Sequence, residues 1–595
     1  MYKEIKNNEK LKWFFTKYIY TGKQYIILII VLIFFGSLIA NISPYLYGKM
    51  LDSITSGDMN LLIKLIIAYF FITLFTNLLS MLEAYVGQIT SFKLSKNAQK
   101  ELFDKMIRMK TSNYSNYKIG EFISRLNSDV DGIVSFGINL ITSLLNIAIN
   151  MVISIYFVIT ISIRLSSVAI FYIPATFLVT YFARKYFKEL AEKRKKFGDK
   201  YYSFQNEIFS NNIGIKSFKL EDKVSIKYSD FIVKEFSIFK KSICLGNAMQ
   251  MLNGLITVTS YLFIIYLSAL LIKDGLLTIG LMVSFNTYIN KLFSSISEVF
   301  SINISLQEIM VSLNRVIEIM GKDSETNDIL SVESITTEFK NENNSYISIK
   351  LENITFSYES EKEDVLADMD ICINNFGVYS VVGSNGSGKS TFAKLLVKLY
   401  DVKEGNIYLN GLEYSKLSYD YIRTNITYVQ KEEFFFNDTI INNIRMSNES
   451  LKIADIENMC KLLGIDEFIN TLPNGYETIV GEGAFTLSSG QKQKLSIARA
   501  LLRATPIYIF DEITANLDGK SEKNVMQIIH EYGKNSIIIF ISHKIASIIN
   551  SDKIFVLEGG KVVDSGDHEY LLQNNNTYKK LFENSEDISL YSTND

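Results

Sequence analysis

The segment "VYSVVGSNGSGKSTFAKLLVKLY" (Val378–Tyr400) changes character twice. Val378–Val382 is an apolar run of strand length. Gly383–Gly388 is a glycine and serine turn, and the residues after it space their apolar side chains as a helix does. Within it, Gly383-x-x-x-x-Gly388-Lys389-Ser390 has the spacing of a phosphate-binding P-loop. Small residues let the backbone of Gly383, Ser384, Asn385, Gly386, Ser387 and Gly388 wrap a polyphosphate, and the helix start adds a favourable field. Lys389 is expected to reach the β- and γ-phosphates, the Ser390 hydroxyl to bind Mg2+, and Thr391 to complete the cradle.

Downstream, "IYIFDEITANLD" (Ile507–Asp518) is a buried-type strand that ends in two carboxylates. Asp511 is the expected partner of the Mg2+ ion. Glu512 is placed to act as general base on a water, a role that contributes about 10²–10⁴-fold in rate. "IIIFISHKIASI" (Ile537–Ile548) is a further apolar strand, ending in His543, where α/β sheets bind their ligands. A γ-phosphate contact is the expected role of His543. A second small-residue turn that opens a helix, "LSSGQKQKLSIARALL" (Leu487–Leu502), follows about a hundred residues after the first.

The half before residue 320 differs in kind. Six apolar stretches approach the roughly 20 residues that a bilayer-spanning helix needs. They are Tyr25–Gly48, Leu61–Val86, Phe136–Ile163, Leu165–Ala183, Met251–Ile272 and Ile279–Ile302, the last being the least apolar. Basic residues concentrate after the second and fourth stretches, which puts those loops and both termini on the cytoplasmic side. The long loops carry few Gly or Pro and read as helical extensions of the spans. Glu9–Tyr20, with Trp13, reads as an interfacial helix. Charged and amide residues within the spans are costly and mark candidate cavity positions: Glu83, Lys291, Glu298, Asn77, Asn146, Asn150, Asn286 and Asn290. Some of them are equally suited to interhelical hydrogen bonds.

Composition agrees with a chain that is partly in the membrane, at 48% hydrophobic residues. A formal net charge of -2 gives no bulk attraction to nucleic acid, so no nucleic-acid partner is expected. Three cysteines without paired spacing exclude a zinc motif. The expected architecture is a membrane α-helical domain (1–320), a linker (321–343) and an α/β P-loop ATPase domain (344–595).

The constellation resembles the ATP-binding cassette (ABC) family over nearly the whole chain, in the order of an exporter half-transporter. In that family the second turn is the signature motif, so Ser488, Ser489, Gly490 and Gln491 are implied to bind the ATP held by the opposite cassette. Ser489 departs from the usual glycine there. By the same resemblance, Tyr358 stacks on adenine, Gln430 contacts Mg2+ and faces the membrane domain, Glu482 precedes the signature, and Ala515–Asp518 is the D-loop. "GEFISRLNSDVDGI" (Gly120–Ile133) and "GIKSFKLED" (Gly214–Asp222) resemble the family's cytoplasmic loops, and "SLNRVIEIM" (Ser312–Met320) its exit from the last span.

The resemblance implies ATP and Mg2+ as cofactors, a second half-transporter as partner (a homodimer being the simpler form and a heterodimer the alternative) and a multi-pass place in the cytoplasmic membrane. The implied function is ATP-driven export of an amphipathic cargo, a peptide, drug-like molecule or lipid, by alternating access. The alternative is an ATP-gated channel or regulatory receptor on the same fold.

Overall fold

A computed structural model describes residues 7–115, 117–325, 347–358, 363–481, 485–542, 544 and 547–583. The chain forms two compact units, Met1–Arg108 with Tyr117–Lys322, and Met109–Asn116 with Asp323–Asp595. From residue 326 onward the expected linker lies outside the described residues, as do Glu482 and His543.

The first unit is helical. Among the described residues, four helical stretches are long and apolar enough to cross a membrane: Glu9–Ser56, Met59–Ile107, Ile119–Ile161 and Glu221–Lys273. The expected fourth and sixth spans fall on the helices Ile163–Ser210 and Ile279–Met320, which are long but are not among those four. Met59–Ile107 has 49 residues. At about 1.5 Å per residue it far exceeds a hydrocarbon core of about 30 Å. The expected helical extensions are therefore present as continuations of the spans. The first stretch breaks after Ala40 and restarts at Ser43, with Pro44 in its first turn, where a missing N–H costs nothing.

Two of the sequence stretches singled out above meet within this unit. Arg125 donates to the Arg315 carbonyl at 3.0 Å and pairs with Glu318 at 3.2 Å, and Asp129 pairs with Arg315 at 3.2 Å.

The second unit is built on a six-stranded sheet. Its strands in chain order are β1 (Ile349–Phe356), β2 (Leu366–Ile373), β3 (Gly377–Gly383), β4 (Glu404–Leu409), β5 (Leu412–Glu413), β6 (Ile426–Val429), β7 (Asp438–Thr439), β8 (Ile479–Val480), β9 (Ile507–Asp511), β10 (Ile537–Ile541), β11 (Lys553–Glu558) and β12 (Lys561–Gly566). The main sheet runs β12-β11-β3-β10-β9-β6, and an antiparallel sheet runs β2-β1-β4-β5. β11, β3, β10, β9 and β6 are mutually parallel.

β3, β9 and β10 are buried along their whole length. A parallel sheet covered on both faces demands such continuous apolar runs. Ile507 and Ile509 face one core with Phe392, while Tyr508 and Phe510 face the other with Ile497 and Val525. Because the strands are parallel, the segments that leave β3, β6, β9 and β10 emerge at one edge, where α/β folds place their ligands.

Candidate nucleotide site

The P-loop leaves β3 at Gly383 and ends at Gly388, which precedes the helix Lys389–Leu396. Gly388 has φ 98°, a conformation that favours glycine, and a side chain there would overlap Leu366. No side chain caps this helix. Its first N–H groups are thus left for an anion, as a phosphate cradle requires. Lys389 is almost fully buried, and its Nζ donates to the Gly383 and Ser384 carbonyls at 2.8 Å each. Burial lowers its pKa, while Glu512 and Asp511 draw it back up. Tyr358 stands beside the loop, its hydroxyl 3.0 Å from that of Thr391 and its ring edge-on to Phe356 and Tyr400.

Asp511 closes β9. It is 3% exposed, and Tyr428 at the end of β6 donates to its Oδ2 at 3.1 Å. Burial pushes its carboxyl above the ordinary range, and the nearby hydroxyls of Ser390 and Tyr428 lower it again in part. Its Oδ1 is buried without a hydrogen-bond partner. A buried carboxylate oxygen beside a serine hydroxyl is an oxygen donor set that suits Mg2+. That ion usually takes one or two carboxylates and completes its shell with phosphates and water. Among the described residues no group of three His, Cys, Asp or Glu side chains could hold a metal alone. The Asp511 carboxylate near the Ser390 hydroxyl would fit an ion that completes its shell with a nucleotide's phosphates.

Glu512 has φ 54°, and its N–H donates to the Ile541 carbonyl at 2.9 Å. A non-glycine residue in this region is strained, and such strain gathers at functional positions. Its carboxylate pairs with Lys431 at 2.5 Å. Gln430 is exposed, and it is the next residue, Lys431, that reaches the Glu512 carboxylate. Tyr428 and Lys431 were not among the sequence candidates. The signal for them lay in their position just inside and just beyond the end of an apolar strand.

The signature residues form a separate face. Ser488 caps the helix Ser489–Leu502, accepting from Gln491 N–H at 3.3 Å, while Gln491 Oε1 accepts from Ser488 N–H at 2.8 Å. This reciprocal capping box fixes the helix start. Ser488 and Ser489 are exposed, and Gly490 lies close against the Asn516 carbonyl of the D-loop. Among the described residues no hydrogen bond or ion pair joins Ser488–Gln491 to the P-loop of the same chain.

In the membrane unit, several candidate cavity residues bond between helices. Asn146 accepts from Ser37 at 2.6 Å, Asn150 from Asn41 at 2.7 Å, and Lys291 donates to Asn41 Oδ1 at 3.0 Å. Asn286 is buried with its Oδ1 unpartnered. Glu83 is half-buried, whereas Asn77, Asn290 and Glu298 are exposed.

Comparison with known proteins agrees with this geometry. Residues 26–296 match the family model of the ABC transporter transmembrane region, and residues 366–515 that of the ABC transporter. The lactococcin-G-processing and transport ATP-binding protein LagD of Lactococcus lactis subsp. lactis is 32% identical, over 91% of this chain and 76% of its own length. A protein assigned in Rickettsia typhi as an export ATP-binding/permease protein is 30% identical, over 96% of this chain and 98% of its own. The solved structure of a bacterial Atm1-family ABC exporter with ATP bound superposes with a TM-score of 0.83, covering 94% of this chain and 98% of that one, at 22% identity.

Proposed function

The chain belongs to the ABC transporter family, and from that premise we propose that it exports an amphipathic cargo across the cytoplasmic membrane by ATP-driven alternating access. It is a multi-pass membrane protein with an ATP-binding, ATP-hydrolysing domain, and a chain with one such domain works as a dimer. In our reading the partner is a second copy, both termini and the ATPase domain are cytoplasmic, and six helices span the bilayer. The membrane domain takes residues 1–320 and the ATPase domain 344–595. Cargo is a peptide, a drug-like molecule or a lipid.

The observation that carries this reading is the meeting of P-loop and strand-end acids at one edge of the sheet. Lys389 and the loop Gly383–Thr391 hold the phosphates. Ser390, Gln430 and Asp511 would hold Mg2+, which when bound would screen phosphate charge. Tyr358 meets the adenine, His543 the γ-phosphate, and Glu512 takes a proton from the attacking water. Ser488, Ser489, Gly490 and Gln491 face the nucleotide of the partner's cassette. Support for that last role is the exposure of Ser488 and Ser489 and, among the described residues, the absence of a hydrogen bond or ion pair from Ser488–Gln491 to their own P-loop.

The test is Glu512→Gln in proteoliposomes. Loss of a positioned base removes about 10²–10⁴-fold in rate, so turnover and cargo accumulation should stop while ATP binding persists. Hydrolysis at the wild-type rate would overturn the assignment. A passive leak opened by ATP, in place of accumulation, would favour the gated channel.

A further inference from the structure

Glu512 and Lys431 form an unequal pair. The Glu512 side chain is 11% exposed and that of Lys431 65%. The acid is fixed, since its backbone is held in the left-handed region by the bond to Ile541. The lysine is a point charge on a flexible four-carbon stem, able to reach a second acceptor without backbone movement. Charges crowd this edge of the sheet: Lys389 feels Asp511, Glu512 and Lys431, and Lys431 feels Glu512, Asp511 and Glu432. Lys389 is already engaged with loop carbonyls, whereas the Lys431 side chain, beside Glu512, is largely exposed.

We propose that Lys431 is a phosphate-binding cation shared between Glu512 and the terminal phosphate of a nucleoside triphosphate. The proposal rests on reading Glu512 as the hydrolytic base. A base that polarises a water in line with the γ-phosphate must lie near that phosphate, and a cation on the base is then within its reach. A triphosphate carries more charge than one carboxylate, so it competes for the ammonium. As Lys431 moves to the phosphate, the carboxylate is released to accept a proton. A diphosphate lacks the competing group and leaves the pair intact. Lys431 would thus make this cassette tell ATP from ADP and would couple that distinction to the freedom of its base.

The experiment is equilibrium binding to the full-length protein in nanodiscs, with the β,γ-imido analogue of ATP and with ADP, both with Mg2+. Lys431→Met keeps the stem and removes the charge. It should weaken the triphosphate analogue by about tenfold, the low end for a charge-assisted hydrogen bond. ADP affinity should stay within about twofold, which also reports that the cassette is folded. Lys431→Arg should restore the preference. Equal losses for both nucleotides, or none for either, would overturn the proposal. Failure of the wild type to bind either nucleotide would instead overturn the nucleotide-site reading itself.

Discussion

Gly48 and Gly280 bring two helices of the membrane unit into backbone contact, so closely that a carbon added to Gly280 would overlap the Gly48 carbonyl. The contact opens a stripe between Ser43–Ser56 and Ile279–Met320. Asp52 accepts from Gly280 N–H at 2.8 Å and from the Thr278 hydroxyl at 2.9 Å. Ser284 donates to the Pro44 carbonyl at 2.9 Å, and Tyr288 to that of Asn41 at 2.7 Å. Small residues allow helices in lipid to approach until such bonds form. Gly280→Ala should therefore destabilise the protein by roughly 1–3 kcal/mol or more, because the obstacle is backbone. Gly87→Ala, where nothing lies within 4 Å, should be neutral or slightly stabilising. Melting midpoints from fluorescence-detected size exclusion compare the two, and equal midpoints would contradict the packing argument.

In the same unit, Asp129 and Arg315 are nearly buried, with side chains 7% and 16% exposed. Ser312 also donates to Asp129, at 2.7 Å. Arg315→Met leaves a carboxylate with little solvent and should cost about 3–5 kcal/mol. Removing both charges, with Asp129→Leu added, should recover a good part of that loss. A double-mutant cycle on thermal stability measures the coupling, and simple additivity would show that the pair carries no interaction of its own.

Much of this was legible along the chain because the chemistry is local. The P-loop is a strand, a turn and a helix in one stretch, and Asp511 and Glu512 end an apolar run, so spacing alone identifies them. The four apolar stretches long enough to cross a membrane among the described residues are equally local. Lys431 was hidden because its partner Glu512 directly follows β9, a strand beside β6 in the sheet but separated from it along the chain by β7 and β8. The same holds for Gly48 and Gly280, whose meeting depends on helices far apart in sequence. Asn146, Asn150 and Lys291 were open by sequence to either a cavity or an interhelical role, and in the fold they bridge helices. Periodicity could not separate those uses, since both place a polar group away from lipid. Nor could it show that Met109–Asn116 groups with the second unit, where Lys110 N–H donates to the Asp323 carbonyl at 3.3 Å and its Nζ to Asp401 at 2.7 Å.

Lys389 gives a prediction that separates binding from folding. Its ammonium satisfies loop carbonyls, and Lys389→Met removes both the donors and the cation meant for phosphate. With MgATP at a hundredfold excess over its dissociation constant, a bound ligand stabilises the wild type by about 2.7 kcal/mol. The variant should show no such gain in melting temperature under the same conditions. An equal gain in both proteins would place the nucleotide elsewhere.

The exposed start of the signature helix gives the last prediction. Ser489 lies outside its own core, so Ser489→Arg should fold normally. If this surface faces the partner's nucleotide, the added side chain blocks a phosphate site in the other chain and hydrolysis stops. Lys389→Met stops it from the opposite side. Each variant alone should be inactive as a dimer. When the two are co-expressed, a mixed dimer keeps one complete site, formed by the intact P-loop of the Ser489→Arg chain and the intact signature of the Lys389→Met chain. Random pairing of a symmetric dimer makes about half of all dimers mixed, so up to roughly a quarter of the wild-type sites should return. ATPase activity of tandem-tagged mixed dimers measures this directly. No recovery in purified mixed dimers would mean that each cassette serves its own nucleotide, or that one good site cannot turn over alone. Blocking the second site by disulfide-free covalent nucleotide labelling of wild-type dimers distinguishes those outcomes, because only the latter makes half-labelled wild type inactive.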